Sequence, residues 1–180
     1  MNIEIIAGSP RIDSLSHRVA LFLDKYLKEK SEHSIGLIDV RESKFPPIQK
    51  VFSKAEDAPD ELFSIAKRVF EADAFVLVTP EYNGSYSPSM KNLLDHFPKQ
   101  VHRAFGIVTA SPGAMGGLRA SQQMQLLINA LFGIASPYML VTPFVDKKFD
   151  VSGNLLDEAF SNSIHTFTTE FLWLAERISK

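Results

Sequence analysis

This sequence predicts an open, doubly wound α/β fold: a parallel sheet with helices on both faces. Three observations carry the prediction. Five apolar runs of strand length recur along the chain, they are near-continuous rather than alternating, and amphipathic helical stretches separate them. A strand that is apolar on both faces belongs in a parallel sheet covered by helices on both sides. Alternation of strand and helix then implies right-handed crossovers, with ligands bound beyond the carboxyl ends of the strands.

The first run, Ile3 to Ala7, leads into a helical stripe between Ser14 and Lys30, where Leu15, Val19, Phe22, Leu23 and Tyr26 share one side. The second run, Ile35 to Val40, is followed by the irregular connection Arg41 to Asp57. Its Pro46-Pro47 pair breaks any helix, and its position on the ligand side places it to form a wall of the site. A second stripe, Leu62, Ile65, Ala66, Val69 and Phe70, spans Asp60 to Ala72, with Pro59 suited to the first turn. The third, fourth and fifth runs are Ala74 to Thr79, Phe105 to Ala110 and Tyr138 to Thr142. Near the end, Leu156, Phe160, Ile164, Phe167, Phe171, Leu174 and Ile178 predict an amphipathic helix that closes one face, with Trp173 beside the stripe. A strand order of 2-1-3-4-5 puts the topological switch between strands one and three. The chain reads as a single domain, residues 1–180, without repeats or low-complexity tracts.

Composition narrows the chemistry. With 180 residues, 45% hydrophobic and 22% charged, the chain can bury one substantial core without disulfides or metals. A formal net charge of -2 gives no basic footprint for nucleic acid. The absence of cysteine excludes a disulfide scaffold, a thiolate nucleophile and a sulfur-ligated metal. Histidines 17, 33, 96, 102 and 165 form no HxxxH or HxH cluster, so no metal site is expected, and His96 and His102 read as surface or interface residues. No run of 18 apolar residues and no secretory leader is seen, so the expected location is the cytoplasm, away from membranes.

Three loops at the ligand end carry the functional signal. In the first, "IIAGSPRIDSLSHR", Gly8 permits a tight turn into a helix N-terminus, Ser9, Ser14 and Ser16 add hydroxyls, and Arg11 adds charge. It is neither GxGxxG nor GK[ST], and without cysteine it is not a phosphatase loop, which leaves a bound, uncleaved phosphate. The other reading is that Ser14 or Ser16 caps the helix and Arg11 faces solvent. The second loop, "TPEYNGSYSPSMKNLLDHF", is rigid, aromatic and rich in donors. Backbone N–H groups around Glu81 to Gly84 suit the polar edge of a flat heterocycle, and Tyr82 suits its face. The third, "TASPGAMGGLRASQQM", clusters Gly113, Gly116 and Gly117, more than a helix-starting turn requires, and so favours a ligand against the main chain.

With these loops the chain resembles the NADPH-dependent FMN reductase family of flavodoxin-like proteins, which includes quinone, chromate and azo-dye reductases. The carriers are "GSPRIDS" at Gly8 to Ser14, "PEYNGS" at Pro80 to Ser85 with "KNLLD" at Lys91 to Asp95, and "SPGAMGGLRA" at Ser111 to Ala120. The resemblance implies a flavodoxin-like three-layer sandwich that holds the FMN phosphate with Ser9, Arg11, Ser14 and Ser16. It also implies a flavin ring lined by Pro80, Glu81, Tyr82, Asn83, Gly84, Ser111 and Gly113. Relatives often have asparagine where Ser16 stands and "PG" where this chain reads Pro88-Ser89. The implied assembly is a homodimer or homotetramer.

The expected activity is an NADPH or NADH oxidoreductase working by ping-pong: a nicotinamide reduces FMN, leaves, and a small electron acceptor is reduced in turn. The flavin carries the chemistry, so no side-chain nucleophile is needed and Glu81 reads as solvated rather than as a base. The rival is an FMN-binding electron carrier for a protein partner, against which the weak charge of -2 argues. A phosphoacceptor domain with Mg²⁺ is excluded, because the first strand ends in Ala7-Gly8-Ser9 rather than in acidic residues.

Overall fold

The computed structural model describes residues 1–42 and 44–179; Ser43, inside the connection expected to wall the site, and Lys180 lie outside the described residues. The chain runs β1 (Asn2–Ala7), α1 (Leu15–Lys30), β2 (Ser34–Asp39), α2 (Asp60–Glu71), β3 (Ala74–Pro80), α3 (Pro88–Asp95), β4 (Ala104–Ala110) and α4 (Leu118–Ala130). It continues with β5 (Ile134–Ala135), β6 (Leu140–Thr142), α5 (Val145–Lys148) and α6 (Ser161–Ile178). Every pairing between these strands is parallel and the order is β2-β1-β3-β4-β5, with β6 also on β4. The doubly wound expectation and its switch between β1 and β3 are therefore realised.

Side-chain alternation along the strands distributes them between two cores. Ile3, Ile5, Val76 and Val108 pack with Val19, Leu23 and Leu27 of α1 and with Ile164, Phe167 and Phe171 of α6. Ile6, Phe75, Leu77, Phe105 and Ile107 face Ala66 and Val69 of α2, Met90 and Leu93 of α3, and Met124 and Ile128 of α4. β3 and β4 thus need apolar residues at consecutive positions, which is why their runs read as continuous, whereas the run of β1 is interrupted by Glu4, paired with Arg68 of α2. No helix among the described residues is long and apolar enough to cross a membrane.

Two expectations change at the C-terminal half. The fifth strand position is shared by two short segments instead of one strand from Tyr138 to Thr142. Ser136 still donates its N–H to Phe105 O at 2.7 Å, but Pro137 has no N–H to continue the ladder, and pairing resumes only at Leu140, opposite Val108. The last helix begins at Ser161 rather than at Leu156. Leu156 is exposed just after a bridge between Phe149 and Leu155, and Asp157 caps a short 3₁₀ turn, Glu158–Phe160, by accepting the Ala159 N–H. Local capping here stops a helical pattern from extending backwards.

Candidate functional site

The register Ala7↔Val78 and Pro80↔Ala110 brings the ends of β1, β3 and β4 close to level, so the loops that follow them face one another. Gly8 starts the first loop by donating to Val78 O at 2.9 Å, and its carbonyl accepts from the Ser87 hydroxyl. A Cβ at Gly8 would lie 2.8 Å from Met90 Cβ, so glycine is what allows α3 to pack against this loop. Ser14 caps α1, accepting the His17 N–H at 3.2 Å, and its hydroxyl lies 3.1 Å from that of Ser16. The helix-cap reading of Ser14 is thus correct, and the same residue also faces the crevice. Ser9, Ser14 and Ser16 are all buried.

Loop two turns on Asn83 and Gly84, both with positive φ (51° and 83°), between reciprocal Tyr82–Ser85 backbone hydrogen bonds. That is a type I′ turn, the conformation an Asn-Gly pair favours. The Glu81 carboxylate accepts from the Arg119 backbone N–H (3.2 Å) and guanidinium (3.3 Å), which ties loop two to the positive N-terminal end of α4. The Arg11 guanidinium sits over the Tyr82 ring, 4.8 Å from its centroid, and so spans the gap between loops one and two. Loop three is fastened to the turn after β6: Ser111 N–H to Thr142 O (3.1 Å), Val145 N–H to Ser111 O (3.2 Å) and Phe144 N–H to Gly113 O (3.4 Å).

Between the loops lies a cavity of about 170 Å³, lined by Ser9, Arg11, Asp13, Ser14, Leu15 and Ser16, by Pro80, Glu81 and Tyr82, and by Ala110, Ser111 and Pro112. The structure therefore brings eight of the anticipated residues onto one wall-to-wall crevice, while Asn83, Gly84 and Gly113 flank it. Asp13, Leu15, Ala110 and Pro112 were not anticipated. They lie inside the loops already singled out, but none has the hydroxyl, aromatic or glycine character that drew attention to their neighbours.

Among the described residues, none of the Arg41 connection lines this crevice. Arg41, Lys44 and Phe45 instead line a neighbouring cavity of about 250 Å³ with Pro10, Val40, Ser89 and Asn92. Asn92 Nδ2 holds the connection there by donating to the Phe45 and Pro46 carbonyls at 3.0 and 2.9 Å. His96 is not a surface residue: it is 3% exposed, its Nδ1 lies 2.7 Å from Asn92 O, and its ring packs against Phe45 and Phe52. The aromatic content of that connection supplies the cover that the sequence pattern around His96 does not reveal.

One charged cluster sits behind the first loop. Burial pushes the Asp39 carboxyl up, but hydrogen bonds from the Arg41 side chain and backbone, with the nearby His17 and Arg41 charges, outweigh it and hold the group below its usual range. Burial lowers His17 below its ordinary 6.5, against the opposing pull of Asp39, whose Oδ2 is 3.5 Å from Nδ1. The unfolded chain therefore takes up this proton more readily than the native one. Stability should fall as pH drops through 6.5 and level off below the native value of the group. His17→Gln is expected to flatten that part of the profile, seen as a smaller difference in urea midpoint between about pH 7.5 and about pH 5.5. An unaltered difference would assign the pH dependence to other groups.

The chain matches the family model described as NADPH-dependent FMN reductase over residues 1–143, a span that contains all three loops. It is 32% identical over 160 residues to an FMN-dependent NADPH-azoreductase of Staphylococcus saprophyticus, covering 81% of this chain and 79% of that protein. A Staphylococcus aureus protein of the same description is 29% identical over 181 residues, covering 93% and 92%. Among solved structures, a flavoenzyme NAD(P)H:(acceptor) oxidoreductase from Paracoccus denitrificans superposes with a TM-score of 0.73 at 20% identity, over 98% of both chains. The fold, the crevice at its switch point and this match over most of the sequence agree: the chain belongs to the NADPH-dependent FMN reductase family.

Proposed function

We propose that the chain is an FMN-dependent NAD(P)H oxidoreductase that passes electrons by a ping-pong mechanism from NADPH or NADH to a small acceptor: free flavin, quinone, azo compound or metal oxyanion. The observation that carries this reading is the convergence of a hydroxyl-rich helix N-terminus and an aromatic, donor-rich loop on one crevice. The residues fit FMN. Ser9, Ser14 and Ser16 place buried hydroxyls at one end, beside Arg11. At the other end, the N–H groups of Glu81, Asn83 and Gly84 have no partner among the described residues. The Tyr82 hydroxyl is likewise buried without a partner. A Cβ at Gly113 would meet nothing closer than Ser111 Oγ at 3.5 Å, so protein packing does not demand this glycine and a flat ligand explains it.

Bound FMN supplies hydride acceptance and electron release; the protein binds, orients and shields. Ser9, Arg11, Ser14 and Ser16 hold the phosphate end. The Pro80–Gly84 turn, Ser111 and Gly113 line the ring, and the free loop-two N–H groups stabilise negative charge that develops at its polar edge. Glu81, fastened to Arg119, shapes loop two. The two staphylococcal azoreductases favour an azo compound among the acceptors.

For the assembly we propose a second copy of this chain against α4, as a homodimer or homotetramer. The outward residues Leu118, Gln122, Gln123, Gln125, Leu126 and Asn129 are uncharged, Arg119 is the one charge among them, and Met115 extends the face. For its location we propose the cytoplasm, a reducing compartment that a chain without cysteine suits.

Turnover tests the function. Purified protein loaded with FMN should oxidise NADPH or NADH beyond one equivalent per flavin only when quinone, azo dye, ferricyanide or free FMN is added, and reciprocal plots at several acceptor concentrations should be parallel. Intersecting lines would replace ping-pong by a ternary complex. Absence of oxidation with every acceptor would leave the electron-carrier role.

A further inference from the structure

We infer that Arg41, which lies outside the crevice, aims the main-chain N–H of Asp13 at the phosphate of the flavin nucleotide and so acts as a positioning residue for cofactor affinity. The inference rests on the FMN reading above.

Ile12 forms the tip of loop one with its side chain 88% exposed, so packing does not hold this part of the loop. What holds it is polar. Arg41 Nη1 donates to the Ile12 carbonyl at 2.9 Å. The remainder of the guanidinium is fixed on Asp39, with Nε donating at 3.0 and 2.9 Å and Nη2 at 2.5 Å. Asp39 is 5% exposed, closes β2 in register with Ala7, and also accepts the Arg41 backbone N–H at 3.0 Å. The sheet, a buried carboxylate and a planar fork therefore form one rigid link to a single carbonyl at the tip of the loop.

The peptide that follows that carbonyl is trans and planar, so the Asp13 N–H points opposite to the Ile12 C=O. With the carbonyl turned out to Arg41, the N–H is turned the other way. Asp13 lines the crevice, and its N–H has no partner among the described residues. Its carboxylate would repel a phosphate, so what this residue offers an anion is its main chain. The other restraint near the tip, Arg11 N–H to Ser9 Oγ, is long at 3.4 Å and leaves the Ile12–Asp13 peptide free to rotate without Arg41.

The test compares FMN with riboflavin, which has the ring but no phosphate, in fluorescence titrations of wild type, Arg41→Ala and Arg41→Lys. Arg41→Ala should weaken FMN binding about tenfold, as expected for loss of one hydrogen bond to a charged group, and leave riboflavin within about twofold. Arg41→Lys should fall between, because an ammonium cannot serve the Asp39 fork and the Ile12 carbonyl together. FMN affinity that is unchanged in the alanine variant, or FMN and riboflavin weakened alike, would overturn the inference. If Arg41→Ala does not fold, the lysine variant decides: selective loss of FMN supports the inference and equal change of both flavins overturns it. A wild-type chain that binds neither flavin would instead remove the FMN reading, before any variant is compared.

Discussion

Arg11→Ala should weaken FMN binding by about 1.5–3 kcal/mol, roughly 10- to 150-fold, the usual contribution of a hydrogen bond to a charged partner. The side chain lies in the crevice with its guanidinium 4.8 Å from the centre of the Tyr82 ring, so it stands between the two ends of the site. Truncation removes the one cationic side chain among the described residues lining the crevice and the contact that spans loops one and two. Arg11→Lys keeps the charge but loses the planar face, and should lie between wild type and alanine. The measurement is an equilibrium titration of apoprotein by quenching of FMN fluorescence. An unchanged dissociation constant in Arg11→Ala would leave Arg11 as a surface residue stacked on a tyrosine.

Gly116→Ala should damage both stability and the ring end of the site. The residue has φ of 59°, where an alanine is strained, and a Cβ there would lie 2.6 Å from Pro143 N and 2.9 Å from Thr142 C. These are backbone atoms of the turn that fastens loop three, so they cannot swing aside as the end of a side chain could. We expect a loss of about 1–3 kcal/mol, read as a lower urea midpoint at constant slope. Because Ser111 and Gly113 are hydrogen-bonded to the same turn, FMN and riboflavin should both bind more weakly, in contrast to Arg41→Ala. Full stability in this variant would contradict the packing of loop three described here.

Much of the architecture could be read from apolar periodicity because every central strand is covered twice. Ile5 faces α1 and α6 while its neighbour Ile6 faces α2 and α3, and no polar residue is needed in between. The edge was harder. Pro137 divides the fifth position into two segments too short to show a period, and Leu156 and Phe160 mimic a helical stripe that a local Asp157 cap interrupts. The helix-capping role of Ser14 and its place in the crevice were posed as alternatives, yet one hydroxyl at a helix N-terminus serves both.

Within the candidate site, residue chemistry pointed to the hydroxyl, aromatic and glycine positions and to the N–H groups of loop two, but not to the main chain of Asp13. Asp13 looks like a poor neighbour for a phosphate, and only the direction of the Ile12 carbonyl gives it a role. The same limit hid the Asp39–Arg41 pair. Asp39 ends a strand and Arg41 begins a polar connection, and nothing in their spacing says that the guanidinium turns back to the tip of a loop 29 residues earlier. His96 went astray for a related reason: its burial comes from Phe45 and Phe52, which are distant in sequence.

The central claim is that the crevice after β1, β3 and β4 holds FMN. Titration of the purified apoprotein with FMN, followed by visible absorption and by quenching of flavin fluorescence, tests it most directly. Saturable quenching at one FMN per chain, weakened by Arg11→Ala, is the expected result. A protein that stays colourless and leaves FMN fluorescence unquenched would contradict it.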